Sequence, residues 1–294
     1  MQKKSFRVEE ENSGLRLDKY LSQKLRNFSR SHFKYLIREG KVRVNYLPQK
    51  PSYLLKERDL VEVVLEEREF KDISSIRLDI PIIYQDEDVI VINKPPGVIV
   101  HPVKRGQPSV VGDLLSRQIK LANISSRRPG VVHRLDKATS GLMVLAKNNL
   151  SYLDLVSQFK ERKVVKEYFA LVEGVFPEKE GKIDLPLKRA KYKPRMKVGF
   201  IEAKKSLTFY KVLKEKKNLS LLLLKPHTGR MHQLRVHLSF LGHPIIGDEK
   251  YGGRKEGLLF LHSCRLGFYH PQNKEFKEFT LPLPLEFKEY LEKG

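Results

Sequence analysis

The chain contains 294 residues, among them 57 Lys or Arg and 35 Asp or Glu, which give a formal net charge of +22 at pH 7. Because 40% of the residues are hydrophobic, the chain can form a packed core, which excludes wholesale disorder and a collagen-like repeat. The excess of positive charge predicts a polyanionic partner.

Residues 15–66 are predicted to form a small unit of two short helices followed by strands. Apolar residues recur at helical spacing from Leu17 to Leu25, and Ser29 is expected to cap a second helix that ends at Gly40. Alternating valines after this helix predict strands. The pattern resembles the alpha-L RNA-binding domain of a small-subunit ribosomal protein, although a basic helical hairpin is common in proteins. Basic residues are expected on the outer side of the second helix and its end: Arg30, Lys34, Arg38 and Lys41.

A charged stretch over residues 66–77 is interpreted as a linker, which divides the chain into domains at 1–70 and 71–294. The second domain is predicted to be mixed α+β. Strands are expected over residues 80–84, 89–93, 98–100, 164–172, 206–213, 219–225 and 258–266. Helices are expected over residues 109–119, 150–162 and 231–241.

Asp136 is the first candidate for chemistry. It lies in a polar segment, residues 133–142, between two apolar runs that can hold a loop in place. The hydroxyls of Thr139 and Ser140, and the tight turn that Gly141 permits, could orient its carboxylate. From spacing alone, the alternative that Asp136 is a turn residue bonding its own backbone is favoured.

Tyr168 lies in a predicted strand and shares a face with Lys166, Ala170 and Val172. Its ring could stack on a nucleobase, but a tyrosine in a strand is more often part of the core. The strand alone does not separate these two roles.

Residues 182–235 carry much of the positive charge, with 16 Lys or Arg against three acidic residues and a local net charge of +13. Aromatic residues are interleaved with the cations, a pattern typical of nucleic-acid-binding surfaces because cations bind phosphates and rings stack on bases. A solvated lysine-rich surface is the alternative interpretation.

Within this stretch, residues 225–238 form the second candidate cluster. Thr228 is expected to cap a helix whose first turn contains Arg230, where a cation opposes the helix dipole and invites a bound anion. Arg235 lies at the edge of an apolar helix face and needs a carboxylate partner, for which Asp136 is the candidate; a surface arginine is the alternative. The apolar face is expected to comprise Met231, Leu234, Leu238 and Leu241.

Metal binding and export are not expected. The histidines His227, His232 and His237 are five residues apart, so successive rings would lie about 140° apart around a helix and could not share a metal. The acidic residues 86–88 are interpreted as a hairpin turn. With one cysteine, no signal core, and apolar runs far shorter than the roughly 20 residues that span a bilayer, the chain is expected in the cytoplasm, away from membranes.

Several segments together resemble one enzyme family, the RluA-type pseudouridine synthases, over nearly the whole chain. The resemblance implies a mixed, mainly antiparallel β-sheet catalytic domain that isomerises uridine in RNA, without cofactor or metal, as a monomer. The N-terminal unit is similar to the extra domain of large-subunit ribosomal RNA members, which implies 23S rRNA as the substrate. The matching segments are residues 93–97, 101–102, 133–142, 166–174, 227–237 and 242–248.

The resemblance also implies roles for individual residues. Asp136 would be the catalytic aspartate, Tyr168 would stack on the flipped uracil, Arg235 would pair with Asp136, and Arg134 would fill the space that the uridine leaves in the RNA stack. Whether Asp136 attacks C1′ or removes the C2′ proton is left open, as are a tRNA substrate and a non-catalytic RNA-binding or ribosome-assembly role. Further RNA contacts are expected from His133, Thr139, Arg230 and Lys94.

Overall fold

The computed structural model describes residues 2–26, 28, 30–65, 73–104, 106–124, 128–191 and 195–293. The helices are α1 Leu17–Lys24, α2 Arg30–Arg38, α3 Val110–Ser116, α4 Asn149–Lys160, α5 Gln233–Phe240 and α6 Leu285–Lys293. The strands are β1 Gln2–Arg7, β2 Val42–Val44, β3 Leu47–Pro48, β4 Leu60–Leu65, β5 Ile82–Gln85, β6 Val89–Lys94, β7 Ser140–Ala146, β8 Val165–Glu173, β9 Glu180–Asp184, β10 Leu187–Arg189, β11 Met196–Val198, β12 Leu207–Lys216, β13 Leu219–Pro226, β14 Leu261–Tyr269 and β15 Phe276–Thr280.

The N-terminal unit packs α1 and α2 against an antiparallel sheet of order β1-β4-β2-β3. Its two helices and its strands β2 and β4 were expected, and α2 ends before Gly40, whose φ is +71°. The cap predicted at Ser29 lies outside the described residues. This unit has a hydrophobic core of its own, which includes Leu17, Tyr20, Leu21, Phe33, Leu36, Ile37, Val42, Val44, Val61 and Val63.

The basic residues of α2 are only partly free for RNA. Arg30 Nη2 lies 3.1 Å from Asp18 Oδ1, and Lys34 Nζ lies 3.8 Å from Asp18 Oδ2, so the buried Asp18 carboxylate holds both cations. Arg30 and Arg38 are exposed, whereas Lys34 and Lys41 are half-buried. The outer placement predicted for this group is therefore clearest at Arg30 and Arg38.

The second domain is organised around a nine-stranded sheet of order β5-β6-β7-β14-β8-β13-β12-β9, with β15 also paired to β14. β14 pairs parallel with β7 and antiparallel with β8 and β15. The mixed α+β architecture with mainly antiparallel sheets is thus confirmed. The strand predicted over residues 98–100 is wrong, because Ile99 forms only an isolated bridge with Ser109. Within the linker predicted over 66–77, residues 66–72 are outside the described chain and Ile73 is buried.

Strands β6 and β7 are buried on both faces of this sheet. Ile90 and Met143 belong to a core cluster that includes α3 residues, while Val89 and Val144 belong to another that includes Leu155 of α4. This burial explains why the sequence of these strands is continuously apolar rather than alternating. It also gives the loop that precedes β7 a rigid support.

Gly141 allows β7 to approach β14 closely. Its φ is +107°, and a Cβ atom at this position would lie 2.3 Å from the carbonyl oxygen of Ser263. Any side chain would therefore separate the two strands directly behind the Asp136 loop.

The acidic residues 86–88 form the turn between β5 and β6, as expected. Asp86 Oδ1 accepts hydrogen bonds from the backbone N–H groups of Asp88 and Val89, each at 2.8 Å. Among the helices of the described ranges, none combines the length and the apolar character that crossing a membrane requires.

Candidate active site

Asp136 lies in the loop between Val131 and β7, and its side chain is 24% exposed. Its Oδ2 accepts a hydrogen bond from Arg235 Nη1 at 3.1 Å. Its main-chain carbonyl takes part in the local turn by accepting the N–H of Thr139 at 3.2 Å. The carboxylate therefore reaches across to α5, which disfavours the simple turn residue that spacing alone suggested.

Arg235 is held by two carboxylates. Its Nε and Nη2 atoms donate to Asp248 at 2.7 Å each, and its guanidinium lies 5.1 Å from the centre of the Tyr251 ring. Burial alone would lower the pKa of Arg235, but Asp248 and Asp136 outweigh that effect and raise it above the ordinary value. Arg235 is a buried cation with three hydrogen bonds to carboxylates, and the surface alternative is excluded.

Sequence reasoning missed Asp248, although it lies in the matching segment 242–248. Its side chain is 1% exposed, so its charge requires a partner. A buried guanidinium has five N–H donors and cannot satisfy them with Asp136 alone. That donor count was the available signal for a second carboxylate.

His232 is a second neighbour of Asp136. It has φ +53°, and its Nε2 lies 3.7 Å from Asp136 Oδ2. The Tyr251 hydroxyl oxygen accepts the N–H of Met196 and lies 2.7 Å from His232 Nδ1, so the hydroxyl is placed to donate its hydrogen bond to that nitrogen. Burial lowers the pKa of His232, and a neutral ring with this bond carries its proton on Nε2, facing the carboxylate.

Tyr168 lies on β8 beside Asp136. Burial raises the pKa of its hydroxyl to about 12, with a hydrogen bond to Ser263 opposing and the charge of Asp136 adding to this shift. The ring packs against two separate hydrophobic core clusters of the second domain. Tyr168 lines a pocket of about 120 Å³ together with Arg134, Asp136, Thr139, Lys166, Arg230 and Arg235.

Two residues expected to contact RNA are turned inward. Lys94 is fully buried and donates to the carbonyls of Pro95, Val98 and Lys137 at 2.8, 2.8 and 3.1 Å. Burial lowers its pKa to about 8, against the opposing effect of Asp136. All three donors of the ammonium are used, which corrects the predicted RNA contact of Lys94.

His133 supports the Asp136 loop from inside. Its ring stacks on Phe159 with 4.5 Å between centroids, and its Nε2 accepts the N–H of Val144 at 3.1 Å. Burial lowers its pKa to about 3, so the ring is neutral. His133 does not line the pocket, and this placement favours a supporting role over the predicted RNA contact.

The helix start predicted at Thr228 is wrong. Helix α5 begins at Gln233, and Thr228 instead donates to the Gln233 side chain at 2.7 Å. Arg230 therefore lies in a turn before the helix, where its Nε donates to the Lys205 carbonyl at 3.2 Å, and the anion site inferred from the helix dipole loses its basis. The expected apolar face is half right, since Leu234 and Leu238 are buried while Met231 and Leu241 are exposed.

One group of described residues has the proximity needed to hold a metal ion: Asp86, Asp88 and His270. Asp86 Oδ2 is bonded to Tyr84 and His270, at 2.6 and 3.0 Å. Asp88 Oδ1 accepts from Asn148 and Ser151. Because these three residues are bonded to other protein groups, we interpret them as a structural network at the β5–β6 turn.

The chain resembles known proteins over most of its length. Residues 15–61 match the S4 domain family. An uncharacterized RNA pseudouridine synthase of Aquifex aeolicus is 42% identical over 299 residues, covering 96% of this chain and 94% of that protein. Ribosomal large subunit pseudouridine synthase D of Borreliella burgdorferi is 38% identical over 303 residues, covering 98% and 92%.

A solved structure shares its fold with most of this chain. Human RNA pseudouridylate synthase domain containing 1 superimposes with a TM-score of 0.59 at 30% identity, covering 74% of this chain and 86% of that one. Residues 88–240, which include Asp136, Tyr168 and Arg235, match the family described as RNA pseudouridylate synthase. The sequence, the fold and these matches agree: the chain belongs to the RNA pseudouridylate synthase family and carries an N-terminal S4 domain.

Proposed function

We propose that this protein converts a specific uridine of large-subunit ribosomal RNA to pseudouridine, with Asp136 as the catalytic group. The observation that carries the proposal is the Asp136 carboxylate, which lines a small pocket beside Tyr168 and is bound by the buried Arg235. The choice of RNA follows the names of relatives such as the Borreliella burgdorferi synthase. A flipped uridine would enter the pocket, because its C1′, N1 and C5 atoms are inaccessible in a stacked base.

The reaction is an isomerisation and needs no external reagent. The C1′–N1 bond breaks, the uracil turns while it is held against Tyr168, and C5 bonds to C1′. The proton then leaves C5 and N1 gains one, so atoms and electrons balance. Asp136 either attacks C1′ or removes the C2′ proton to give a glycal intermediate.

A single carboxylate suits this outcome. Glycoside hydrolysis uses two carboxyl groups and an activated water. Asp136 is the one carboxylate among the described residues that line this pocket, and it accepts a hydrogen bond from Arg235. If water is excluded while the base turns, C1′ bonds to C5 and not to water, so the outcome is isomerisation instead of hydrolysis.

Other residues would hold the RNA. Arg134 is exposed at the pocket and is free to enter the RNA stack when the uridine leaves it. Thr139 and Arg230 also line the pocket, and the exposed Arg30 and Arg38 give the S4 domain a basic surface. We further propose that the protein works as a monomer, in the cytoplasm and without a metal ion.

Replacing the proposed catalytic group tests this function. Pseudouridines are mapped in ribosomal RNA from cells that lack the protein and from the same cells expressing wild-type protein, Asp136→Asn or Asp184→Asn. The exposed Asp184 is the matched control, because it lies on β9 away from the pocket lining. We expect a pseudouridine that is lost with the gene, restored by wild type and Asp184→Asn, and absent with Asp136→Asn. Restoration by Asp136→Asn would refute the assigned role.

The same map separates the alternatives. A non-catalytic RNA-binding or ribosome-assembly role is favoured by the local charge of +13 over residues 182–235. It predicts that every pseudouridine persists in cells without the protein. A tRNA-directed synthase predicts that the missing pseudouridine lies in transfer RNA.

A further inference from the structure

Lys166 is a cation of the pocket that the reaction described above does not use. It lies on β8 two residues before Tyr168, on the same face of the strand, and its side chain lines the pocket. The Phe159 ring centre is 6.0 Å from its Nζ. Within the described part of the chain, its ammonium has no ion pair and no hydrogen bond.

Lys166 is half-buried, and its surroundings differ from those of the two buried cations of the site. Lys94 donates to three carbonyl oxygens, and Arg235 donates to two carboxylates. Burial lowers the pKa of Lys166. Because desolvating a charged group without a partner costs free energy, a ligand that supplies an anion would recover that cost.

The position of Lys166 suits the backbone of a bound nucleotide. Residues two apart on one face of a strand are separated by about 7 Å, roughly the distance from a nucleobase to its own phosphate. With the base against Tyr168, a neighbouring phosphate therefore comes within reach of Lys166. Gly229 faces the same ammonium, since a Cβ atom there would lie 4.0 Å from Nζ, and its lack of a side chain leaves the approach open.

We propose that Lys166 binds one of the two phosphates that flank the target uridine and thereby holds the flipped nucleotide over Asp136. The proposal rests on the proposed function, since it takes Tyr168 as the surface on which the base lies. A charge-assisted hydrogen bond from the ammonium to a phosphate oxygen forms only when the nucleotide leaves the RNA stack. Its free energy offsets part of the cost of flipping.

Neutral phosphate linkages test this contact. Stem-loop RNAs that carry the mapped uridine are made with a methylphosphonate at the linkage on its 5′ side, on its 3′ side, or at neither. Pseudouridine formation is measured under single-turnover conditions, with the enzyme in excess of the RNA but below saturation, for wild type, Lys166→Met and Lys288→Met. Lys288 is the matched control, an exposed lysine on α6 that does not line the pocket.

For wild type and Lys288→Met, we expect one of the two methylphosphonates to reduce kcat/KM about tenfold. On unmodified RNA, the kcat/KM of Lys166→Met should be lower than that of wild type by about the same factor. The methylphosphonate that affects wild type should not lower the kcat/KM of Lys166→Met any further. A purely structural role of Lys166 would instead give the same methylphosphonate penalty in all three proteins, which would overturn the proposal. Wild-type protein that forms no pseudouridine on unmodified RNA would refute the proposed function, and this contact with it.

Discussion

Arg235 divides its donors unequally between two carboxylates. Asp248 takes the Nε and Nη2 edge in a paired geometry, and Nη1 is left for one oxygen of Asp136. Because Asp248 fixes the plane of the guanidinium, one N–H of Arg235 points to Asp136, and within the described residues no hydrogen bond to Asp136 Oδ1 is found. We infer that Asp248 determines where the Asp136 carboxylate lies.

Replacing Asp248 with Asn should reduce kcat by about 10- to 100-fold, because an amide cannot hold Arg235 through two charge-assisted bonds and leaves a buried donor facing a donor. Asp248→Glu should retain more activity, since it keeps the charge. Single-turnover rates at saturating stem-loop RNA, with RNA affinity and thermal stability measured in parallel, check this expectation. An Asp248→Asn protein with a wild-type rate would contradict it.

The ion pair of Asp136 and Arg235 could be predicted from the sequence, but its surroundings could not. A carboxylate in a polar loop and an arginine at the edge of an apolar helix face each needed a partner, and they are bonded to each other. The predicted RNA contact of Lys94 is wrong because this lysine, unlike most lysines, is buried. Its burial follows from the meeting of two loops that are distant in sequence, and composition carries no sign of such a contact.

At the scale of elements, Lys94 joins the end of β6 to the loop before β7. Two of its carbonyl partners belong to its own turn, and the third, that of Lys137, directly follows Asp136. Lys94→Met should therefore lower the free energy of unfolding by about 2–4 kcal/mol, because three carbonyls lose their donor. Urea unfolding checks this value, with the exposed Lys211→Met as control. Equal stability of the two variants would show that the ammonium is dispensable.

Element boundaries were predicted well where a strand coincides with an apolar run and poorly where side chains bond to the backbone. The apolar runs of β6 and β8 gave strands within one or two residues. Helix α5 begins five residues after Thr228, because the Gln233 side chain accepts from both Thr228 and the Arg230 N–H and organises a turn there. A capping residue in the sequence predicts a helix start only when no such competing turn forms.

At the scale of the whole molecule, the S4 domain should contribute more to RNA binding than to the rate of the reaction. Its four strands pair only with one another in the described chain, and its core cluster draws on residues 8–65 alone. We expect a protein of residues 71–294 to fold, to bind ribosomal RNA more weakly and less selectively, and to keep its single-turnover rate on a saturating stem-loop. An equal loss of rate at saturation would contradict this division. The boundary at residue 70 itself stays a prediction.

Stability in acid should depend on buried histidines distributed through the second domain. Burial lowers the pKa of His101 and His262 to about 4 and that of His133 to about 3, from an ordinary value of 6.5. Between pH 6.5 and 4 the unfolded chain therefore binds protons that the folded chain does not. The free energy of unfolding must fall as the pH falls through this window, by up to about 1.4 kcal/mol per pH unit for each such group.

Urea unfolding measured between pH 7 and about 5 checks this slope, because that range lies above the pKa of most carboxylates. His101→Phe should make the slope shallower by about one proton, because it removes one of the three neutral rings. Gln272→Asn should leave the slope unchanged, because the exposed Gln272 side chain does not titrate. A His101→Phe protein with the wild-type slope would mean that His101 is protonated in the folded state, in conflict with its burial.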